Sequence, residues 1–170
     1  QAFNKRNPIY ADILNYVSLG VLLNIPDNNF RQLIDYVKQM DKQAKPSGWT
    51  PDLLLWFMLN SRMKEQEKLK YAETLAYPRL YNGLYKVIQA PNAAAAKDAL
   101  NKYLDRWYNL NSDAPWYNSH LKDNCYRGYW AWEVAAVAKI MHIDDSDLKN
   151  NQYYPYDMVH WADNETTAKE

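Results

Sequence analysis

The stretch of sequence that decides the fold reads Tyr126-Arg-Gly-Tyr-Trp-Ala-Trp-Glu-Val-Ala-Ala-Val-Ala-Lys-Ile140. Apolar residues continue round every side of a helix drawn through it, so the pattern predicts a helix over 126–141 that the rest of the protein buries. An acidic turn, Ile143–Lys149, and an aromatic-proline corner, Tyr153–Asp157, follow it. The segment shows no pattern typical of a nucleophile or a metal ligand, and its polar, aromatic-rich edge favours binding over catalysis.

Helical periodicity extends outward from this stretch through the rest of the chain. The first predicted helix covers 9–24, and the second opens at Pro26-Asp27 and is ended by Lys45-Pro-Ser-Gly48. The other predicted helices cover 51–63 with Thr50 as cap and Pro51 at the first position, 71–89 with an interruption at Pro78, a segment from the cap Asn92 to Trp107, and 155–163. Alternation typical of strands is scarce, and the chain has only 4 glycines for turns. The sequence therefore predicts an all-α fold, a single-domain helical bundle of about six to eight helices.

A chain of 170 residues fits one domain. We expect looser N-terminal helices over 1–90, a motif-bearing part over 91–163, and a frayed polar tail over 164–170. The chain does not begin with methionine, which is consistent with a trimmed or processed N-terminus.

The composition of the chain argues against several classes of function. The chain has 20 basic and 20 acidic residues, whereas nucleic-acid binders usually carry a basic excess. No apolar run approaches the roughly 20 residues of a membrane span. The single cysteine, Cys125, cannot form an intrachain disulfide, which fits a reducing compartment. We therefore expect neither direct nucleic-acid binding nor a membrane anchor.

An acidic cluster beside tyrosines is the candidate binding site. Asp144, Asp145 and Asp147 lie within four residues around Ser146, and one or two of them are expected to cap a short helix. The remaining negative charge would attract a basic partner surface. The predicted partner-binding residues are Asp144, Asp145, Asp147, Tyr153, Tyr154 and Asp157, with no catalytic residue, metal ligand or cofactor.

Two other functions stay open at this stage. A small metal-assisted hydrolase would need Glu133, His120, His142 and the aspartates to converge in one pocket, although no two histidines have the i, i+4 spacing of a helical metal site. We interpret Glu133 instead as a structural acid with Lys122, His120 or a tyrosine hydroxyl as its partner, because a buried charge needs one. A sugar-binding module would need Trp49, Trp116 or Trp161 exposed in a row.

Seven short motifs resemble one family. They are Trp107-Tyr108, Trp116-Tyr-x-Ser-His120, Tyr126-x-Gly-Tyr-Trp130, Trp132-Glu133, Ile143-Asp-Asp-Ser146, Leu148-Lys149 and Tyr153-Tyr-Pro-Tyr-Asp157. Together they resemble the C-terminal domain of PoNi-type bacterial immunity proteins, specifically from about residue 102 to residue 160 and more loosely before it.

The resemblance implies an all-α protein that is not an enzyme. Such a protein would act in the cytoplasm and protect a bacterium from a polymorphic toxin that a type VI or related secretion system delivers between cells. The implied partner is a DNase of the PoNe type, bound so that its active site or DNA groove is covered. Within the motifs, Tyr129, Trp130 and Trp132 are expected to hold the core, while toxin specificity is determined elsewhere.

Overall fold

The described part of the chain is all α-helical, as the sequence predicts. The computed structural model describes residues 6–43, 48–68, 71–122, 126 and 128–167, so Cys125 lies outside it. The α-helices there are α1 (Pro8–Leu22), α2 (Asp27–Lys42), α3 (Leu53–Asn60), α4 (Pro78–Ile88), α5 (Ala93–Leu110), α6 (Trp132–Ile140) and α7 (Tyr156–Thr167). Three short 3-10 turns lie at Glu65–Glu67, Ser119–Leu121 and Ser146–Leu148, and no strand occurs in these residues. The predicted count of six to eight helices is confirmed.

Helix α6 lies at the centre of one hydrophobic core. Every residue from Glu133 to Ala138 is buried, and the helix packs mainly against α1, with further contacts to α3, α5 and α7. The core cluster extends from Tyr10 on α1 to Val159 on α7. The continuous apolar character of the Val134–Ala138 segment is therefore explained by neighbours on all its sides.

Helices α4 and α5 pack closely because α4 has a glycine at the point of contact. A Cβ atom on Gly83 would come 2.7 Å from the ring of Tyr103, so only glycine allows this approach. The Tyr103 hydroxyl donates to the carbonyl oxygen of Leu80 at 2.8 Å. Near the C-terminal end of α5, the Tyr108 ring contacts the ring of Tyr129 in the segment before α6.

The start of α3 differs from the prediction. Thr50 and Pro51 were expected to begin the helix, but it begins at Leu53 with Asp52 as its cap. The Asp52 carboxylate is buried, and it accepts hydrogen bonds from the Leu55 N–H (2.8 Å), the Ala76 N–H (2.8 Å) and the Tyr10 hydroxyl (2.9 Å). One side chain thus caps α3 and joins it to α1 and to the segment before α4.

Two further predictions of helix bounds were wrong. Residues 71–77 are not helical, and α4 begins at Pro78, because proline suits the first turn of a helix and disfavours helical geometry in the residue before it. The last helix continues to Thr167 and does not end near Asp163.

The start of α6 is also predicted wrongly: the pattern places it at Tyr126, and the helix begins at Trp132. Gly128 has a left-handed φ of 78°, which ends any helix there. The Ala131 N–H donates to the carbonyl oxygen of Tyr153 at 2.9 Å and so ties this segment to the aromatic-proline corner. Residues 128–131 therefore form an irregular segment, which contacts α5 through the rings of Tyr129 and Tyr108.

No helix among the described residues has the length and apolar character needed to cross a lipid bilayer.

Candidate functional site

The predicted acidic cluster divides into buried and exposed members. Asp145 is buried, and its carboxylate accepts hydrogen bonds from the Tyr154 hydroxyl (2.8 Å) and pairs with His160 Nε2 (2.9 Å). Tyr154 is buried as well. These two side chains hold the Ser146–Leu148 turn against α7, and neither presents its polar atoms to a partner in this structure.

Asp144 and Asp147 are exposed, and both contact one cation. Lys97 Nζ lies 2.8 Å from an Asp144 oxygen and 3.2 Å from an Asp147 oxygen. The hydrogen bond from Lys97 holds the pKa of Asp144 well below its usual range, and the same two contacts raise the pKa of Lys97. Asp144 also accepts from the Ser146 N–H at 3.1 Å, the capping role that the sequence predicts. The surplus negative charge at this edge is accordingly smaller than the sequence suggests.

The remaining predicted residues lie at the two sides of this edge. Asp157 is exposed in the first turn of α7. Tyr153 is half-buried, and its ring stacks on Tyr108 with the centroids 5.2 Å apart and the planes 2° apart. We call Asp144, Asp147 and Asp157 the acidic edge. Because Tyr108 lies on α5, Tyr153 joins the acidic edge to a larger group of aromatic rings.

That group lies around the segment between α5 and α6. It consists of Trp107, Tyr108, Trp116, Tyr117, Tyr126, Tyr129 and Tyr153, each within about 6 Å of another ring centre. We call it the aromatic cluster. The Tyr129 hydroxyl also receives the His120 N–H at 3.0 Å, which fixes the Ser119–Leu121 turn beside the cluster. Stacked rings therefore give this otherwise irregular segment a defined shape.

A cavity of about 600 Å³ opens beside the aromatic cluster. Its walls come from α1, α4, α5, α6 and the segment between α5 and α6, and the lining residues used below are Arg6, Tyr81, Trp116, Lys122, Trp130 and Glu133. This volume is within the range of small-molecule and side-chain binding sites in proteins. We call it the aromatic cavity.

Exposed apolar side chains lie on the segment that borders the aromatic cavity. Leu121 is 74% exposed, Tyr126 59% and Trp130 45%. The prediction that Trp130 holds the core is wrong, because the left-handed Gly128 turns the segment outward before α6 begins. Tyr129 is buried and Trp132 half-buried, in agreement with a structural role.

Glu133 lies in the wall of the aromatic cavity and is 5% exposed. Its Oε1 accepts a hydrogen bond from Trp107 Nε1 at 2.7 Å, so its partner is a tryptophan and not the predicted lysine, histidine or tyrosine. Burial raises the pKa of Glu133, opposed by the Trp107 hydrogen bond and by the charge of Arg6. Arg6 itself donates to the Tyr81 hydroxyl at 2.6 Å.

The residues of the hydrolase alternative have different surroundings and form no metal-binding group among the described residues. His120 contacts Tyr129, His142 is exposed in a left-handed position after α6, and His160 binds Asp145. Within the described ranges, no three His, Cys, Asp or Glu side chains are grouped so that they could hold a metal ion.

The tryptophans of the sugar-binding alternative do not form an exposed row. Trp49 is buried with its Nε1 on Asp41, Trp116 lines the aromatic cavity, and Trp161 donates to the Leu22 carbonyl oxygen.

One known protein family matches more than half of this chain. Residues 50–158 match the family described as PoNe immunity proteins (PoNi), C-terminal. The chain belongs to this PoNi family. Comparison with curated proteins and with solved structures found no match. PoNi proteins are immunity proteins to PoNe nuclease toxins and are generally not enzymes.

The PoNi match contains the aromatic cluster and the acidic edge but not the whole aromatic cavity. Residues 50–158 extend from just before α3 into the first turn of α7, whereas Arg6 and α1 lie outside this range. The cavity is therefore assembled from residues inside the matched range together with Arg6 and α1, which lie before it in the chain.

Proposed function

We propose that this protein neutralises a PoNe-type DNase toxin by binding it one to one, and that the aromatic cavity and its rim form the centre of the interface. The observation that supports this most is the exposure of Leu121, Tyr126 and Trp130 beside an open cavity. Tryptophan and tyrosine carry much of the energy of tight interfaces, and buried pockets are where such anchors cluster. The exposed rings are accordingly suited to contact a partner.

The acidic edge extends the proposed interface along α5. Asn101 on α5 donates to Asp147 at 3.1 Å, and Tyr108 on the same helix stacks on Tyr153. Seven residues of α-helix separate Asn101 from Tyr108, a distance of about 10 Å. One toxin surface can span both, with its apolar contacts at the aromatic rim and its basic residues near Asp144, Asp147 and Asp157.

Binding at this surface would neutralise the toxin by covering its active site or its DNA groove. A DNA-cutting enzyme needs a basic groove to bind phosphate groups. A partner with an acidic edge and rigid aromatic rings competes for that groove without chemistry of its own. We further propose that the toxin arrives through a type VI or related secretion system and that neutralisation takes place in the cytoplasm.

Growth rescue is the test of this function in cells. We expect the cognate PoNe-type nuclease in the reading frame next to this gene. Its expression is expected to stop growth of a host bacterium, and co-expression of this chain is expected to restore it. A nuclease with an inactivated active site controls for the burden of expression. Continued growth arrest, with both proteins present in soluble form, would contradict the proposed function.

The acidic edge is expected to affect the rate of association. Changing Asp144, Asp147 and Asp157 together to asparagine removes three negative charges, and we expect the association rate constant to fall about 5-fold at low salt and less at high salt. Stopped-flow or surface-plasmon measurements at two ionic strengths check this. A control variant with Asp12, Asp35 and Glu65 changed to their amides loses the same charge elsewhere. An equal effect from both triple variants would show that only net charge matters.

A further inference from the structure

The aromatic cavity contains a buried carboxylate whose charge is poorly compensated. Among the described side chains, only Trp107 donates to Glu133, from Nε1 to one carboxylate oxygen. The backbone N–H of Glu133 itself and the charge of Arg6 are the other groups that favour its ionised form. No described residue forms an ion pair with it, and burial raises its pKa. A buried carboxylate without a cation is energetically unfavourable, because it has lost its water and gained little in return. A partner that brings a positive charge to Glu133 would remove this cost.

The walls of the cavity suit a cation on a long apolar stem. Trp116, Trp130 and Trp132 line it together with Glu133. Lysine and arginine side chains bind to the faces of indole rings through cation–π attraction, which is strongest for tryptophan. Their methylene groups can bury apolar area against the rings while the charged end reaches the Glu133 carboxylate.

Neither of the two described cations in the cavity wall, Arg6 and Lys122, fills that role. Arg6 lines the cavity, but its Nη1 donates to the Tyr81 hydroxyl, and it acts on Glu133 only through space. Lys122 lies on the rim and is exposed, beyond the end of the Ser119–Leu121 turn. Both leave the second oxygen of Glu133 without a donor among the described side chains.

We propose that the aromatic cavity receives a lysine or arginine side chain of the toxin and that Glu133 is its counter-ion. The inference rests on the proposed function, since the basic residues of a nuclease surface supply the cation. The proposal assigns Glu133 to partner recognition. From sequence alone, the position of Glu133 inside an apolar helix favours a purely structural role. The ion pair forms in a cavity that tryptophan rings shield from water, where a charge–charge contact is stronger than at an exposed surface.

A small probe tests the cavity without the toxin. Nα-acetyl-arginine amide is titrated into the protein at millimolar concentration, and the indole N–H resonance of Trp107 is followed by NMR because that group donates to Glu133. The neutral isostere Nα-acetyl-citrulline amide is the control. We expect a saturable shift with the arginine derivative and at least about tenfold weaker binding of the citrulline derivative, because the charge is what Glu133 recognises. Equal binding of the two, or no shift with either, would overturn the inference.

The variant Glu133→Gln tests the same contact with the toxin. It keeps an acceptor for Trp107 and removes the charge, so we expect the complex to dissociate about 10- to 100-fold faster while the thermal unfolding midpoint stays the same or rises. The exposed Glu65→Gln is the matched control and is expected to change neither quantity. Faster dissociation without loss of stability distinguishes a recognition role from a structural one.

The outcomes of the two experiments separate this inference from the proposed function. If the wild-type protein does not bind the toxin, the proposed function fails, and the arginine probe still tests the cavity alone. If the wild-type protein and Glu133→Gln bind the toxin equally well, the proposed function stands and the counter-ion role of Glu133 is wrong.

Discussion

Replacing Trp130 with alanine is expected to weaken toxin binding by about 30-fold or more, the effect of losing about 2 kcal/mol at an interface hot spot. The ring lies at the mouth of the aromatic cavity and is 45% exposed in the free protein, so a partner can bury its remaining area. Isothermal titration calorimetry or biolayer interferometry with the toxin measures the change. Because much of the ring already faces solvent, we expect a loss of about 1 kcal/mol or less in the free energy of unfolding.

The control for this variant is Tyr16→Ala. Tyr16 is an exposed aromatic residue on α1, in a separate apolar groove between α1 and α2. It offers a similar area for burial but does not line the aromatic cavity. Tyr16→Ala is expected to bind the toxin like the wild-type protein. If Tyr16→Ala weakened binding and Trp130→Ala did not, the interface would lie on the α1–α2 groove and the proposed site would be wrong.

Replacing Asp52 with alanine is expected to destabilise the protein by about 3–5 kcal/mol. The substitution leaves three buried donors, the Tyr10 hydroxyl and the N–H groups of Leu55 and Ala76, without an acceptor, and it removes the cap of α3. For a domain of this size we expect the unfolding midpoint to fall by about 10 °C or more. Thermal unfolding followed by circular dichroism at 222 nm checks this.

Asp12→Ala serves as the control for Asp52→Ala, because Asp12 is an exposed aspartate on α1. It is expected to shift the midpoint by no more than a few degrees. A similar small shift for Asp52→Ala would mean that water satisfies the three donors and that this carboxylate does not hold α1 and α3 together.

The helices were predictable where capping and periodicity agree. Asn92 caps α5 as expected, with its side chain accepting the Ala95 N–H, and the apolar stripe down to Trp107 faces the core. The start of α6 was not predictable from composition, since the residues 128–131 are as aromatic as the helix that follows. The left-handed turn at Gly128 and a hydrogen bond to Tyr153, which is distant in sequence, decide that boundary.

The site was only partly predictable for a related reason. The acidic and aromatic residues of 144–157 do lie at one edge, but sequence does not show which aspartate is turned inward. Asp145 is buried because Tyr154 and His160 supply donors from α7 and the segment before it, and such partners become visible only in three dimensions. The aromatic cavity was missed because its walls bring together three distant parts of the chain, residues 6–15, Tyr81 on α4 and residues 107–133.

The glycine before Trp130 was the one available sign of an exposed segment. Glycine next to a run of aromatic residues is typical of a turn, and this chain contains only 4 glycines. A predicted helix that began only after Gly128 would have placed Tyr126 on a loop and would have indicated aromatic rings at the surface.

Inhibition of the nuclease in solution tests the central claim most directly. A cognate PoNe-type toxin, for which the reading frame next to this gene is the first candidate, is held at a fixed concentration well above the dissociation constant, this protein is added in steps, and cleavage of linear DNA is measured. A stoichiometric binder is expected to reduce cleavage linearly to zero at one equivalent, while the DNA remains chemically unchanged. Full nuclease activity at several equivalents, or inhibition by substoichiometric amounts that act with turnover, would contradict the account.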